Sequence, residues 1–162
     1  MNEYIQKLDA VLRHIENVRN NTEILGKKLI EQGHIELGRK LIANGLIHDN
    51  SKFHGIEWEQ LNTNNPDQNK LSLAVFHHNH TNLHHPEAWE GGIKAMHDLY
   101  VYEMVSDWKA RATEFGTSLI EWINNDSLKK FNYTKDDEVY KKIINCVNLL
   151  CDKPFKPLNS SL

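Results

Sequence analysis

Apolar residues recur at three- and four-residue intervals along most of this chain, and nowhere do they alternate with polar ones over a useful strand length. This period constrains the fold before anything else. A 3.6-residue repeat gives each segment one apolar stripe, which can be buried only by packing helix on helix. The predicted fold class is therefore all-α, a compact single-domain helical bundle over residues 1–152 with a C-terminal tail at 153–162. With 40% hydrophobic residues in 162, the chain is long enough to enclose a core.

Tyr4, Leu8, Val11, Leu12, Ile15 and Val18 mark a first helix. Thr22 followed by Glu23 opens a second through Ile24, Leu25, Leu29 and Ile30, stopped or kinked at Gly33. A third carries Ile35, Leu37, Leu41, Ile42, Leu46 and Ile47 toward His48 and Asp49 and ends near Lys52; Gly38 and Gly45 each lower its propensity by about 1 kcal/mol. Residues 61–70 (LNTNNPDQNK) form a loop after a short helical piece around Trp58. Leu71, Leu73, Ala74, Val75 and Phe76 then run helically into a histidine cluster that Pro86 closes. From Gly92, the residues Ile93, Met96, Tyr100, Met104 and Trp108 keep helical spacing for about five turns. Weaker helices follow over 119–123 and 139–150.

A net charge of −3 supplies no field to gather nucleic acid or an anionic membrane, which argues against general nucleic-acid binding. No apolar run reaches the roughly 18 residues that span a bilayer, and the opening MNEYIQKLDA is polar where a signal peptide is basic and then apolar. A cytoplasmic protein is expected. Cys146 and Cys151 match neither a disulfide framework nor a zinc ribbon and read as ordinary thiols.

Of ten histidines, five fall between His77 and His85. His48 lies seven residues after Leu41 and Asp49 seven after Ile42, so both continue rows that otherwise face the core. A carboxylate there needs a salt bridge, hydrogen bonds or a metal ion, and the pair reads either as a capping polar end or as ligands. His14 sits at the edge of the first helix's stripe, and Asp107 shares a helical face with Glu103 and Tyr100. Together these four residues offer two imidazoles and two carboxylates, a set suited to a divalent transition metal.

In order, His14, then His48 and Asp49, then Asp107 resemble the H…HD…D signature of the HD superfamily of metal-dependent phosphohydrolases. The run HDNSKF, from His48 to Phe53, is similar to the HD-x-x-K form of HD-GYP-type members, with Lys52 at the lysine. Together with HHPE (84–87) and EMVSDWKA (103–110) it is more specifically similar to a group of small phage and bacterial HD-like proteins, over residues 10–115. The resemblance implies an HD-type helical domain, a host-cytoplasm location if phage-encoded, and no settled substrate. It also implies one or two divalent metals per chain, of which Mn, Fe, Co, Ni and Zn all suit the donors. In relatives with more than one metal, histidines between the HD pair and the last aspartate hold the second ion. Here His78, His84 and His85 are the candidates, a helical His78 meeting a loop-borne His84 or His85 on an ion that Asp49 bridges to the first. No Gly-Tyr-Pro follows them, so cyclic-di-GMP hydrolysis is not implied. The cluster reads otherwise as a histidine-rich surface turn.

Such a site acidifies a water toward neutrality and polarises a phosphoryl oxygen. Asp49, Lys52 and Arg111 are the candidate catalytic residues, the two cations placed to meet negative charge on the phosphoryl group. Asn82, Glu87 and Glu103 are candidates to orient ligand histidines or touch substrate, Glu87 reading equally as a helix-starting acid. Trp58, Trp89 and Trp108 stack a base or fill the core. His77 and His80 read as bystanders, and His34, His54 and His97 have no evident partner. The expected function is hydrolysis of a phosphate ester or anhydride in a nucleotide or related small molecule. The expected partners are that substrate and, given an amphipathic C-terminal helix, a second copy of the chain; no membrane is among them. A non-catalytic metal- or nucleotide-binding module, for example one that sequesters a host signal, and a di-iron HD-type oxygenase are the competing readings.

Overall fold

The computed structural model describes residues 3–151, with side chains from residue 5 onward. The Tyr4 side chain and the tail expected at 153–162 lie outside what the structure describes.

The first two expected helices are one. Helix α1 runs unbroken over Glu3–Glu31. Thr22, read as a start signal, is a mid-helix residue whose hydroxyl donates to the Arg19 carbonyl at 2.9 Å, and its side chain is fully buried. The chain turns at Gly33, where φ is +89°, a region that L side chains rarely adopt.

Helix α2 (Ile35–Ile47) packs along α1 through small residues. A Cβ on Gly26 would stand 2.7 Å from the Gly38 carbonyl, and one on Gly45 would strike the Thr22 side chain. The glycines that weaken α2 on propensity are thus what lets the two backbones approach. Ile35, Leu46 and Ile47, expected in the stripe, are exposed. The helix also stops at Ile47 rather than near Lys52: His48 is extended (ψ 134°), Asp49 is left-handed (φ +56°), and a 3₁₀ turn follows over Asn50–Phe53.

Helix α3 (Gly55–Leu61) leads through the expected loop to α4 (Gln68–Thr81), whose start is capped by the Asp67 carboxylate accepting from the Asn69 and Lys70 amides at 3.0 and 3.1 Å. On α4 the inward row is Ala74 and His78, one turn apart, while Leu73, Val75 and Phe76 face outward. Trp58 on α3 is also exposed, against the core reading.

Two 3₁₀ turns, Pro86–Ala88 and Gly92–Ala95, precede α5 (Asp98–Phe115), so that helix starts later than the spacing from Gly92 predicts. Positive φ at Gly92 and extended backbone at Met96 and His97 separate the two. Helix α5 packs against α1, α2 and α8 and carries Val101, Met104 and Val105 into the core. Helices α6 (Leu119–Glu121) and α7 (Ser127–Lys130) are joined by a π turn over Trp122–Asp126, and α8 (Glu138–Leu150) buries Val139, Ile143, Cys146, Val147 and Leu150 on one stripe. Leu25, Leu29, Leu41 and Ile93 complete the core, with Trp89 and Trp108 packed against it.

The fold is an all-α single domain, and no strand occurs among the described residues. No helix there is long and apolar enough to cross a membrane. Cys146 and Cys151 are free, and burial pushes the Cys146 thiol well above its ordinary value.

A candidate metal centre

Five segments deliver seven side chains to one place. His14 comes from the middle of α1, His48 and Asp49 from the end of α2, His78 from the last turn of α4, His84 and His85 from the turn after it, and Asp107 from α5. Asp49 is the hub. Its Oδ1 lies 3.4 Å from the Nε2 atoms of both His78 and His84 and 3.6 Å from that of His48, and its Oδ2 lies 3.5 Å from His14 Nε2. His14 Nε2 is 3.1 Å from Asp107 Oδ1, and His85 Nε2 is 3.0 Å from His78 Nε2. Three overlapping donor groups result: Asp49, His78, His84 and His85; His14, His48 and Asp49; His48, His84 and Asp107. Within each, the donor atoms lie within 4.8 Å of one another.

The other ring nitrogens explain why these atoms face each other. Glu114 sits 3.0 Å from His14 Nδ1, Glu57 2.8 Å from His78 Nδ1, and Glu103 3.0 Å from His48 Nδ1 and 3.5 Å from His84 Nδ1. A carboxylate at Nδ1 holds the proton there and leaves Nε2 as a lone pair pointing inward. Correspondingly, His48 Nε2, His84 Nε2, Asp49 Oδ1 and Asp107 Oδ1 are buried without a hydrogen-bond partner among the described residues. Buried acceptors orphaned in this way are costly, and a cation among them satisfies all at once. The residues fit a metal ion.

The backbone at Asp49 contributes directly. Its left-handed conformation, which Asp tolerates better than most residues, turns the chain out of α2 and sets the carboxylate among the histidines. Buried Lys52 ion-pairs with Asp49 Oδ2 three residues on. Burial by itself would raise the Asp49 carboxyl, but His48, His84, Lys52 and His78 outweigh it and hold it well below the usual carboxylate range. Asp107 and Glu103 are lowered against burial in the same way, chiefly by His14 and by His48 respectively. Burial, then the charges of His84 and His78, push His85 down to about 3, and burial lowers His78. On His48 burial is outweighed by Asp49 and Glu103, and its value rises.

A cavity of about 260 Å³ opens onto the centre, lined in part by His14, Asp49, Lys52, His78, Asp107 and Arg111. Arg111 is exposed, its Nη1 3.4 Å from Glu114 Oε2. Asn82 Nδ2 lies 3.3 Å from His78 Nδ1, the contact expected of a residue that orients that ring, and also donates to Ser51 Oγ and to the His78 carbonyl, each at 2.9 Å; Glu57 lies closer to the same ring nitrogen at 2.8 Å. The role expected of Glu87 is corrected. Glu87 Oε2 is buried with no hydrogen-bond partner and reaches no histidine. His77 joins none of the donor groups, its Nδ1 lying 2.7 Å from Glu57 Oε1. His80 stacks on Phe76 and His97 packs on Trp89, away from the centre. Sequence reasoning missed Glu57 and Glu114. Glu114 lies seven residues after Asp107, on the same face of α5, and that spacing was a usable signal; Glu57, fully buried in the short α3, had none.

These features define an all-helical protein with a buried histidine–carboxylate cluster that could hold a metal ion. By sequence, the chain belongs to a family of unknown function, DUF5662, whose model matches residues 3–152. No curated protein and no solved structure matches it.

Proposed function

We propose that this chain is a metal-dependent phosphohydrolase of the HD type, acting on a phosphate ester or anhydride in a nucleotide or related small molecule. The observation that carries the reading is the convergence of four orphaned, buried acceptors of His48, His84, Asp49 and Asp107, with carboxylates behind the rings. His14, His48 and Asp49 would hold one ion and His78, His84 and His85, sharing Asp49, a second, with Asp107 able to reach an ion beside His48 and His84. When bound, a divalent transition metal supplies Lewis acidity toward a phosphoryl oxygen and acidifies water toward neutrality.

The chain's own residues do the rest. Glu57, Glu103 and Glu114 orient the His78, His48, His84 and His14 rings so that Nε2 of each faces the centre. Lys52 pins the Asp49 carboxylate so that its second oxygen faces the histidines. Arg111, on the cavity wall and held among the described residues only by a long contact to Glu114, is free to turn its guanidinium to an anionic substrate.

The test is elemental analysis of untagged protein, with wild type, His48→Ala and Asp49→Ala screened for phosphate release from a nucleotide panel in added Mn, Co or Ni. One or two metals per chain, lost in the variants together with phosphate release, is the expected result. Variants that keep their metal and full activity overturn the proposal. Metal without turnover of any phosphate transfers the site to the binding-module reading, and iron with oxygen consumption to the oxygenase reading.

A further inference from the structure

The cavity over the centre continues sideways into another. A space of about 290 Å³ lies between the C-terminal half of α5 and the 119–131 segment, and it shares His85, Asp107 and Arg111 with the cavity at the metal centre. Its remaining wall is aromatic. The Trp108 and Phe131 rings lie 10° from parallel with centroids 5.8 Å apart, Trp122 stands edge-on to Trp108 at 84°, and Phe115 lines the same space while remaining highly exposed. Lys130 lines it too, its Nζ 4.9 Å from the Phe131 ring centre.

We infer that this space is the subsite for the planar aromatic part of the substrate, bound by stacking against the Trp108–Phe131 wall beside Lys130 rather than by reading of the ring's edge. The inference rests on the phosphohydrolase reading and names the leaving-group half that such a site takes. Three observations favour a nucleoside monophosphate as occupant. First, Asp107 and His85 border both cavities, so one small molecule can present its phosphate to the donors and its ring to the aromatic wall. Second, the volume sits near the lower end of the ~300 Å³ and upward typical of ligand pockets, room for one ring system and little more. Third, the lining is poor in groups that discriminate bases. Apart from Asp107, which faces the metal donors, it includes no carboxylate and no side-chain amide; Arg111, Lys130 and the Trp122 indole N–H, which is buried without a partner among the described residues, can only donate, and every base offers acceptors. A wall of this kind holds any base by its face and distinguishes bases weakly.

The experiment is calorimetric titration of the full, Mn-loaded chain with AMP, GMP, CMP, UMP and ribose 5-phosphate. The four nucleotides are expected to bind within about fivefold of one another and each at least about tenfold tighter than ribose 5-phosphate, the range that base–aromatic stacking gives. Phe131→Leu should cut that nucleotide advantage to about threefold or less. Because Phe131 packs on the core, Phe115→Ala is the companion variant; this exposed side chain can be removed without loosening the interior and should reduce the advantage in the same direction. A wild-type advantage near one, an advantage unchanged in both variants, or a preference beyond about twentyfold for one base overturns the inference. Binding is read directly, so absent phosphate release with the nucleotide advantage intact removes the hydrolase reading and leaves the subsite standing. Phosphate release without the advantage does the reverse.

Discussion

Glu103→Gln is the sharpest probe of the metal centre, because one carboxylate serves two rings. Glu103 Oε1 lies 3.0 Å from His48 Nδ1 and 3.5 Å from His84 Nδ1, while Oε2 accepts from Asn44 Nδ2 at 3.0 Å. Glutamine keeps the shape but has one acceptor oxygen. If that oxygen faces the histidines, the new amide N–H₂ opposes the Asn44 N–H₂; if it faces Asn44, two ring N–H groups lose their acceptor. Either way both imidazoles lose the negative charge that strengthens them as ligands. Removing such a partner typically costs 10- to 100-fold in metal affinity. With two ligands on one carboxylate, the upper part of that span is expected, about 30- to 100-fold or roughly 2–2.7 kcal/mol. The assay is competition for Mn or Zn against a chelator of known affinity on untagged protein, with Asp49→Ala as the fully disabled reference. An affinity within about threefold of wild type would refute the reasoning that these carboxylates set the donor atoms.

Three further outcomes follow from the fold. Gly38→Ala should improve helix propensity by about 1 kcal/mol, but its Cβ would press on the Gly26 carbonyl, and overpacking of about 1–3 kcal/mol outweighs the gain. Its Tm should fall by a few degrees, at roughly 2–4 °C per kcal/mol for a chain of this size, and a rise would mean that the backbones are not in close approach. With a thiol reagent on the native chain, half-buried Cys151 should react readily and Cys146, buried with its thiol pushed up, only after denaturant is added. In the metal-free chain Asp49, Asp107 and Glu103 titrate below their ordinary values, so the stability they lend is present above the ordinary carboxylate range and fades as pH falls through the folded values. His85, lowered to about 3, acts in the same direction, because the unfolded chain takes up its proton first. The urea midpoint should therefore climb between pH 3 and about 6, and a flat profile would contradict the buried charges.

The all-helical class was legible because the apolar period is a local property of the chain. Helix boundaries were less so: Thr22 carries a start signal, yet in the fold its hydroxyl turns back to Arg19 and its side chain lies under Gly45. Exposure on α4 was not legible either, since Leu73, Val75 and Phe76 keep helical order while the inward row is short and passes through His78. For the centre, spacing picked out His14, His48, Asp49 and Asp107, and the family resemblance added His78, His84 and His85; all seven converge. What sequence could not show was the layer behind them. Glu57 lies in α3, remote in the chain from nothing more telling than a short helix, and only the packing of α3 on α4 makes it the partner of His77 and His78.

The histidine cluster at the end of α4 has a practical consequence. His77, His78, His80, His84 and His85 are neighbours along the chain, and only the folded backbone sends His78, His84 and His85 to the centre while turning His80 onto Phe76. An unfolded or truncated chain keeps all five within one short stretch, which chelates metal without any fold. Retention on an immobilised nickel column therefore reports the presence of that stretch rather than of a native centre. Protection against heat by added metal will also understate the native affinity, since the unfolded chain competes for the same ions.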